Sequence, residues 1–390
     1  MDKRIGIVGG GQLGKMMILE AKRLGFYVAV LDPATDCPAS SICDELIVAP
    51  LEDNAGYFEL AEKIGRSGVI TYEWENINAA ALETLERQGH VVYPSVATLK
   101  TIQNKFTQNS VLRGNNIAVP RFEKVASVAE IRKMGETFGY PLMLKTTTGG
   151  YDGKGTALIK SASDVEAAFE QLGNGKVALM VEEFVDFEME VSVIACRGID
   201  GKCVVYPIAE NIHVNSILDT TIVPARITAE AAEKAVSTAF RVMEVFAGVG
   251  TFGIELFVGK NGNHGEIYVN EVAPRPHNSG HFTIEGCFAD QFENHIRAIV
   301  NLPLGNAELI QPTVMVNLLG QGSGKARLVG LEEAYRDSAV KVHLYGKPES
   351  KTGRKMGHYT VVGADVARVL ARAVELKKVV RVVGIAEETV

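Results

Sequence analysis

Glu255 in GIELFV and Glu271 in VNEVAP each interrupt an apolar run that reads as a strand. An unpaired carboxylate among such neighbours is costly to bury, so each needs a positive partner. Mg²⁺ is the natural candidate, because it binds through one or two carboxylates plus phosphate oxygens. Salt bridges to Arg275 or to a lysine are the simpler alternative. Directly after Glu271 comes PRPHNSGH, where Arg275, His277, Asn278, Ser279 and His281 gather hydrogen-bond donors in a loop shaped by proline and glycine. Such a concentration suits a small oxyanion. Upstream, LKTTTGGYDGKGT ends a strand on Lys145 and continues through Gly149, Gly150, Gly153 and Gly155. Small residues let a backbone close over phosphates, and the lysine adds fixed positive charge. No GK[ST] opens a helix at Walker A spacing, and a plain glycine hairpin explains the stretch equally well.

A second glycine cluster, VGGGQLGKMM, carries Gly9, Gly11 and Gly14 at GxGxxG spacing, and the strand YVAVLD ends on Asp32. A turn of this kind aims backbone N–H groups at an anion from the start of a helix, and Asp32 lies where a dinucleotide site keeps its ribose-binding acid. Nicotinamide or flavin binding therefore competes with a turn that only packs strand against helix.

The elements that must position these groups fall into three segments. Residues 1–100 alternate strands (IGIVGG, VAVLD, ELIVAP, GVITYEWE, HVVYP) with helical stretches, which predicts a small parallel-sheet domain. A helix entered after Pro94 and a second ending near Gly114 follow, with Lys105 between them. From YPLMLK onward the grammar is antiparallel: strands flank the glycine loop, ALMVEEFV and MEVSVIAC follow a helix, and after a helix at 228–247 the acid-bearing strands form a hairpin around GKNGNHG. From about residue 301 to 390, TVMVNLLG, AVKVHLYG and HYTVVG are strand-like and a helix begins at Asp365. The expected domains are 1–100, 101–300 and 301–390.

Composition narrows the class. The 390 residues are 46% hydrophobic and 22% charged with a net charge of -7, which suits a multidomain globular chain and argues against a general nucleic-acid binder. Cys37, Cys43, Cys196, Cys203 and Cys287 form no CxxC pair, as expected for reduced thiols in the cytoplasm. No long apolar span predicts a membrane segment.

Together the pieces resemble the ATP-grasp superfamily: a hinge run EEFV, a ribose-binding acid nearby, a phosphate loop and two metal-binding acids. Within it, GGGQLG, TYEWENI, GGYDGKG, NEVAPRPHNSGH and RKMGH are similar in order and spacing to the 5-(carboxyamino)imidazole ribonucleotide synthetase family, ATP-dependent enzymes of purine biosynthesis. The resemblance implies an α/β and α+β chain: a Rossmann-like domain preceding the ATP-grasp domain, then a small β-rich C-terminal domain. It implies that Lys105 and Lys145 contact ATP phosphates beneath a closing loop of Gly150, Tyr151, Asp152, Gly153, Lys154, Gly155 and Thr156. Glu182, Glu183, Phe184 and Val185 would bind adenine through backbone, Glu190 the ribose, with His213 and Asn270 completing the site. Glu255 and Glu271 would hold Mg²⁺, for which Mn²⁺ could substitute.

By the same resemblance Gly11, Gln12, Leu13, Glu73, Lys347, Arg354 and Lys355 would bind 5-aminoimidazole ribonucleotide, its monophosphate held by the N-terminal turn and the C-terminal cations. Arg275, His277, Asn278, Ser279 and Lys347 would act on bicarbonate, and Tyr151 and Asp152 would serve from the closing loop, where Asp152 would orient or deprotonate the accepting amine. Asp32 then keeps no ligand role. The resemblance further implies carboxyphosphate as intermediate and a cytoplasmic homodimer. Thr147 and Thr148 stand where relatives often carry basic residues, and Asn104 where an acid is common. A nicotinamide oxidoreductase and a noncatalytic nucleotide-binding regulator remain as other readings; the first leaves Glu255, Glu271 and the YDGKG loop unexplained.

Overall fold

The computed structural model describes residues 3–150, 153–260 and 266–386. Tyr151 and Asp152 lie outside the described residues, and so does the centre of the GKNGNHG turn.

All five N-terminal apolar runs become strands of one parallel sheet, in the order Glu45–Val48, Tyr27–Asp32, Arg4–Val8, Val69–Tyr72, Val91–Val92. Strand Arg4–Val8 is central and pairs with Tyr27–Asp32 on one side and Val69–Tyr72 on the other, so the chain changes direction beside it. In open α/β sheets ligands settle at such a switch point, outside the carboxyl ends of the strands. Gly9, Asp32 and Glu73 all lie at those ends. Helix Gln12–Arg23 buries Leu13, Met16, Met17, Ile18 and Ala21 and presents Lys22 and Arg23 in its last turn. Its apolar face packs on Phe292, Ile296 and Ile299 of helix Gln291–Ile299, which belongs to the middle segment. Each of those three fully buried side chains is worth roughly 1.5–3 kcal/mol, enough to fix the two parts against one another.

Ser95, directly after Pro94, caps helix Val96–Gln103 by accepting from Thr98 N–H. Asn104 caps helix Lys105–Gly114 by accepting from Thr107 N–H at 3.0 Å, so the departure noted in the sequence has a structural use as an N-cap. Beyond it, Phe122–Val125, Leu179–Glu183, Leu142–Thr146 and Thr156–Ile159 form a four-stranded sheet in that order. The glycine loop joins its last two strands, which pair antiparallel.

The acid-bearing hairpin, Gly250–Gly259 with Ile267–Ala273, is one edge of a twelve-stranded sheet that continues through Phe187–Arg197, Ala209–Val214 and Ile217–Val223. Helix Ala229–Phe246 covers it with Ala235, Ala239 and Val242 against Val193, Phe252 and Ile254. The sheet does not stop at residue 300. Strand Thr313–Gln321 pairs with Ile217–Val223, placing Thr220 opposite Val316, and hands the ladder on to Lys355–Val362. The C-terminal segment is thus bonded strand to strand with the middle one, a continuity that apolar periodicity cannot reveal.

Candidate active site

One cleft of about 1170 Å³ runs between these parts. Its floor is the hairpin edge of the large sheet, and the reason the acids face it is a register shift. Glu255 stands opposite Glu271, but the next pair is Leu256 with Val269, so Asn270 is the extra residue of a β-bulge. The bulge brings Asn270 and Glu271 to the cleft together, while Val269 and Val272 remain in the core. Burial and the charge of Glu271 push the Glu255 carboxyl up to about 7. Burial also opposes ionisation of Glu271, but Lys105, whose Nζ is 2.7 Å from its Oε1, outweighs it and holds that carboxyl below its ordinary value. Two close acids, with Asn270 Nδ2 3.5 Å from Glu255, form an oxygen-rich donor set that lacks enough positive charge of its own. That is the chemistry a hard divalent cation satisfies together with phosphate oxygens.

The nucleotide side follows from the small sheet. Lys145, next to last in its strand, has Nζ 2.5 Å from Glu182 Oε2, and Asn109 Nδ2 donates to the other oxygen at 3.0 Å. The Glu182 side chain is therefore committed to Lys145, which leaves only its backbone for a base. Glu183 pairs with Arg121 outside, and Phe184 is exposed. Across the cleft Glu190 and His213 approach to 2.9 Å; burial lowers the His213 imidazole, but the Glu190 carboxylate outweighs this and raises it. Thr147 is buried and exchanges backbone bonds with Lys105 and Ala178, so a basic side chain there would have no solvent to enter.

Arg275 is not free for an anion in the way its loop suggested. Its Nε and Nη2 grip both oxygens of Glu75, at 2.5 and 3.1 Å, and Nη1 donates to the Pro276 carbonyl. Glu75, from TYEWENI, is the residue that sequence reasoning passed over, although its motif was in view. His277 faces Glu255, with Nε2 3.2 Å from Oε1, and burial with the nearby charge of Arg275 holds its imidazole well below the ordinary value, hence neutral. It can approach because residue 253 is glycine: a Cβ there would collide with His277 Cβ. Asn278 also lines the cleft and shares a pair of amide bonds with Asn317. Ser279 and His281 do not line it among the described residues; both are fully buried, His281 packing on Phe292 and His358.

The N-terminal turn requires a larger correction. The Gly11 N–H donates to Glu73 Oε1, Gly14 N–H to Glu73 Oε2 at 2.6 Å, and Gly10 N–H to Asp32 Oδ2 at 2.7 Å. Donors expected to serve a phosphate are occupied by two carboxylates. Asp32, expected to be an ordinary strand-end residue, also accepts from Ala34 and lines the cleft. Burial pushes the Glu73 carboxyl up, against the pull of the two N–H groups. Lys15, in the first turn of the helix that follows, donates to the carbonyls of Leu344 and Tyr345, and so ties this helix to the loop that carries Lys347.

Lys347, Arg354 and Lys355 reach the cleft from the C-terminal segment, and Gln12, Leu13 and Glu73 line it from the N-terminal one. Gly150, Gly153, Lys154 and Thr156 line it from the glycine loop; Gly11 and Gly155 do not appear among the described lining residues. The groups expected to hold a nucleotide, a metal and a monophosphate thus share one cavity, although they come from all three segments.

Comparison with known proteins agrees with this arrangement. Residues 1–103 match the ribonucleotide synthetase preATP-grasp domain, 110–292 the ATP-grasp domain, and 313–372 the phosphoribosylaminoimidazole carboxylase C-terminal domain. N5-carboxyaminoimidazole ribonucleotide synthase of Bacillus subtilis is 42% identical over 356 residues, 91% of this chain and 90% of that one. Among solved structures, the Thermotoga maritima synthetase superposes with a TM-score of 0.88 at 45% identity, covering 99% of this chain and 100% of its own. The Aspergillus clavatus enzyme in complex with ADP and 5-aminoimidazole ribonucleotide does so with 0.87 at 33%, covering 96% and 97%. With relatives this similar over nearly the full length, and with the ATP-grasp parts converging on one cleft, the chain belongs to the N5-carboxyaminoimidazole ribonucleotide synthase family.

Proposed function

We propose that this chain uses ATP and bicarbonate to carboxylate 5-aminoimidazole ribonucleotide, giving N5-carboxyaminoimidazole ribonucleotide, ADP and phosphate. The observation that carries this is the single cleft lined by Lys105 and Lys145, by Glu255 and Glu271, and by Lys347, Arg354 and Lys355. It has room for a nucleotide beside a second substrate.

ATP lies under the 150–156 loop with its base against the Glu182–Val185 backbone and its ribose at Glu190. Lys105 and Lys145 turn from their acidic partners toward the phosphates as charge accumulates there. Glu255 and Glu271 hold Mg²⁺, which when bound supplies a Lewis acid to the phosphate oxygens. His277 and Asn278 present donors to bicarbonate, whose oxygen attacks the γ-phosphorus; the bond to the β-bridging oxygen breaks and ADP leaves. The exocyclic amine of the ribonucleotide then forms its N–C bond to the carboxyl carbon of carboxyphosphate, the C–O bond to the phosphorus-bound oxygen breaks, and phosphate departs with the proton the amine gives up. The closed cleft keeps water from the labile intermediate. The ribonucleotide's monophosphate sits toward Lys347, Arg354 and Lys355, since the backbone donors of the N-terminal turn are already engaged. The enzyme acts as a cytoplasmic homodimer.

ADP release measured with each co-substrate omitted tests this reading. It should require bicarbonate and rise strongly with 5-aminoimidazole ribonucleotide. ATP consumption indifferent to both compounds would end it, and NADH binding seen by fluorescence would favour the oxidoreductase instead.

A further inference from the structure

Behind His277 lies a run of buried hydroxyls and one amide that the reaction outlined above does not use. The Ser279 backbone N–H is 3.4 Å from His277 Nδ1, and a backbone N–H can only donate. Nδ1 is therefore an acceptor, and the hydroxyl of Ser279, 2.8 Å from the same nitrogen, donates to it as well. The Ser279 oxygen receives the Ser192 hydroxyl at 2.7 Å. The Ser192 oxygen receives Asn211 Nδ2 at 2.8 Å, and Asn211 Oδ1 receives the Thr221 hydroxyl at 3.0 Å.

Each hydroxyl proton is used once, and all point the same way, from Thr221 toward the imidazole. Three of the members are placed by neighbouring strands of the large sheet, where Asn211 stands directly opposite Thr221. Ser192, Thr221 and Ser279 are fully buried and Asn211 nearly so, which keeps bulk solvent from the run. A neutral imidazole that accepts at Nδ1 carries its proton on Nε2. That nitrogen faces Glu255 Oε1 at 3.2 Å, and His277 and Glu255 both line the cleft.

We propose that Asn211 and Ser192 are positioning residues that, through Ser279, hold His277 as the Nε2–H tautomer, so that the cleft meets an N–H donor there and not a lone pair. The consequence for chemistry rests on the functional reading given above: a donor at this point orients Glu255 and can serve an oxygen of bicarbonate, whereas the other tautomer would set a lone pair against both. Ser279, expected among the catalytic residues, then acts one step removed, through His277.

Nitrogen NMR of the full-length chain with isotope-labelled histidine, His277 being assigned by its loss in His277→Asn, tests the tautomer without requiring turnover. The unaltered protein should show a protonated Nε2 and an unprotonated Nδ1; the reverse pattern overturns the proposal whatever any variant does. Asn211→Asp, when ionised, keeps the shape but cannot donate to Ser192, so the hydroxyls turn back toward residue 211 and Nδ1 keeps only the longer contact with the Ser279 backbone N–H. A large Nδ1–H population should appear, kcat should fall by about tenfold or more, and KM for ATP should stay within about twofold. Ser192→Ala buries no charge and gives a second reading if the aspartate variant does not fold. It should reveal a measurable Nδ1–H population and a kcat lower by roughly threefold. Lost activity with an unchanged tautomer in either folded variant overturns the proposal, because a purely structural role would look like that. ADP release indifferent to bicarbonate in the unaltered enzyme would instead remove the functional reading and leave the tautomer result standing.

Discussion

The two glycine-rich turns look alike as strings and are used in opposite ways. Both follow a strand, and both could bring backbone N–H groups to an anion. At residues 9–14 the anion is built in: Glu73 and Asp32 take the N–H groups of Gly10, Gly11 and Gly14, and a Cβ at residue 11 would fall on the Glu73 carboxylate. At 149–155 the fixed charge at the root of the turn is Lys145, itself neutralised by Glu182 on the adjacent strand. The lesson is that glycine spacing reports room for an anion near a backbone, while the nearest fixed charges decide whether that anion is a side chain or a ligand. A carboxylate plug also excludes a pyrophosphate from the N-terminal turn by like-charge repulsion, which removes the dinucleotide reading on physical grounds.

Removing acids and bases at the two ends separately tests this contrast. The largest effect belongs to Glu271→Gln. It takes away one of the two cleft carboxylates and leaves Lys105 unpaired, so Mg²⁺-dependent ADP release should drop by about a thousandfold or more, with thermal unfolding within a few degrees of the parent. Activity near the parent's would take Glu271 out of the metal site. Next comes Lys145→Met, which leaves Glu182 as an uncompensated buried acid at the root of the nucleotide loop. ATP-dependent turnover should fall on the order of a hundredfold, while the affinity for 5-aminoimidazole ribonucleotide, followed by calorimetry, should hold. Equal loss of both ligands would mean that the two turns do not serve separate molecules.

How much of this was legible beforehand depends on range. The alternations of the first hundred residues were enough for all five parallel strands, because one face of that sheet is buried by helices that its own neighbours in sequence supply. Glu255, Glu271 and the lysines were visible as charges that apolar strands would not carry idly. What was hidden is what depends on a partner far along the chain. Glu75 reaches Arg275, Lys105 reaches Glu271, and Lys145 reaches Glu182, and no local pattern names such pairs. The bulge at Asn270 was likewise out of reach: it sets Asn270 and Glu271 on one side against the period-two rule, and only the register with Gly250–Gly259 reveals it. The plug at the N-terminal turn belongs here too, since Glu73 was assigned to the substrate without its bonds to Gly11 and Gly14 being foreseeable.

Glu73→Gln tests the plug directly. An amide oxygen can still accept from the turn, but its NH₂ then faces the other backbone donor, at a stability cost of about 1–3 kcal/mol. Half-saturation by 5-aminoimidazole ribonucleotide should need roughly tenfold more substrate, with KM for ATP unchanged. An ATP KM that rises in step would show that the nucleotide depends on this turn.

The smallest effect separates a carboxylate that plugs a turn at the cleft from one that only caps a helix. Asp290 accepts from Phe292 N–H at 2.7 Å and Glu293 N–H at 2.9 Å at the start of helix Gln291–Ile299, away from the cleft. Burial, with the charge of Glu20 adding to it, pushes its carboxyl up to about 7 from an ordinary value of 3.8. The folded chain therefore keeps a proton that the unfolded chain releases as the pH passes about 4, and stability drains away from there up to about pH 7, beyond which no more is lost. Asp290→Asn supplies the same acceptor to the helix with no charge to desolvate at any pH. Its unfolding temperature should match the parent's below about pH 4, pull ahead between about pH 4 and 7, and stay ahead by a constant few degrees above that, with ADP release unchanged throughout. An advantage independent of pH would mean that Asp290 takes up its proton alike in the folded and the unfolded chain, the helix N-terminus offsetting its burial.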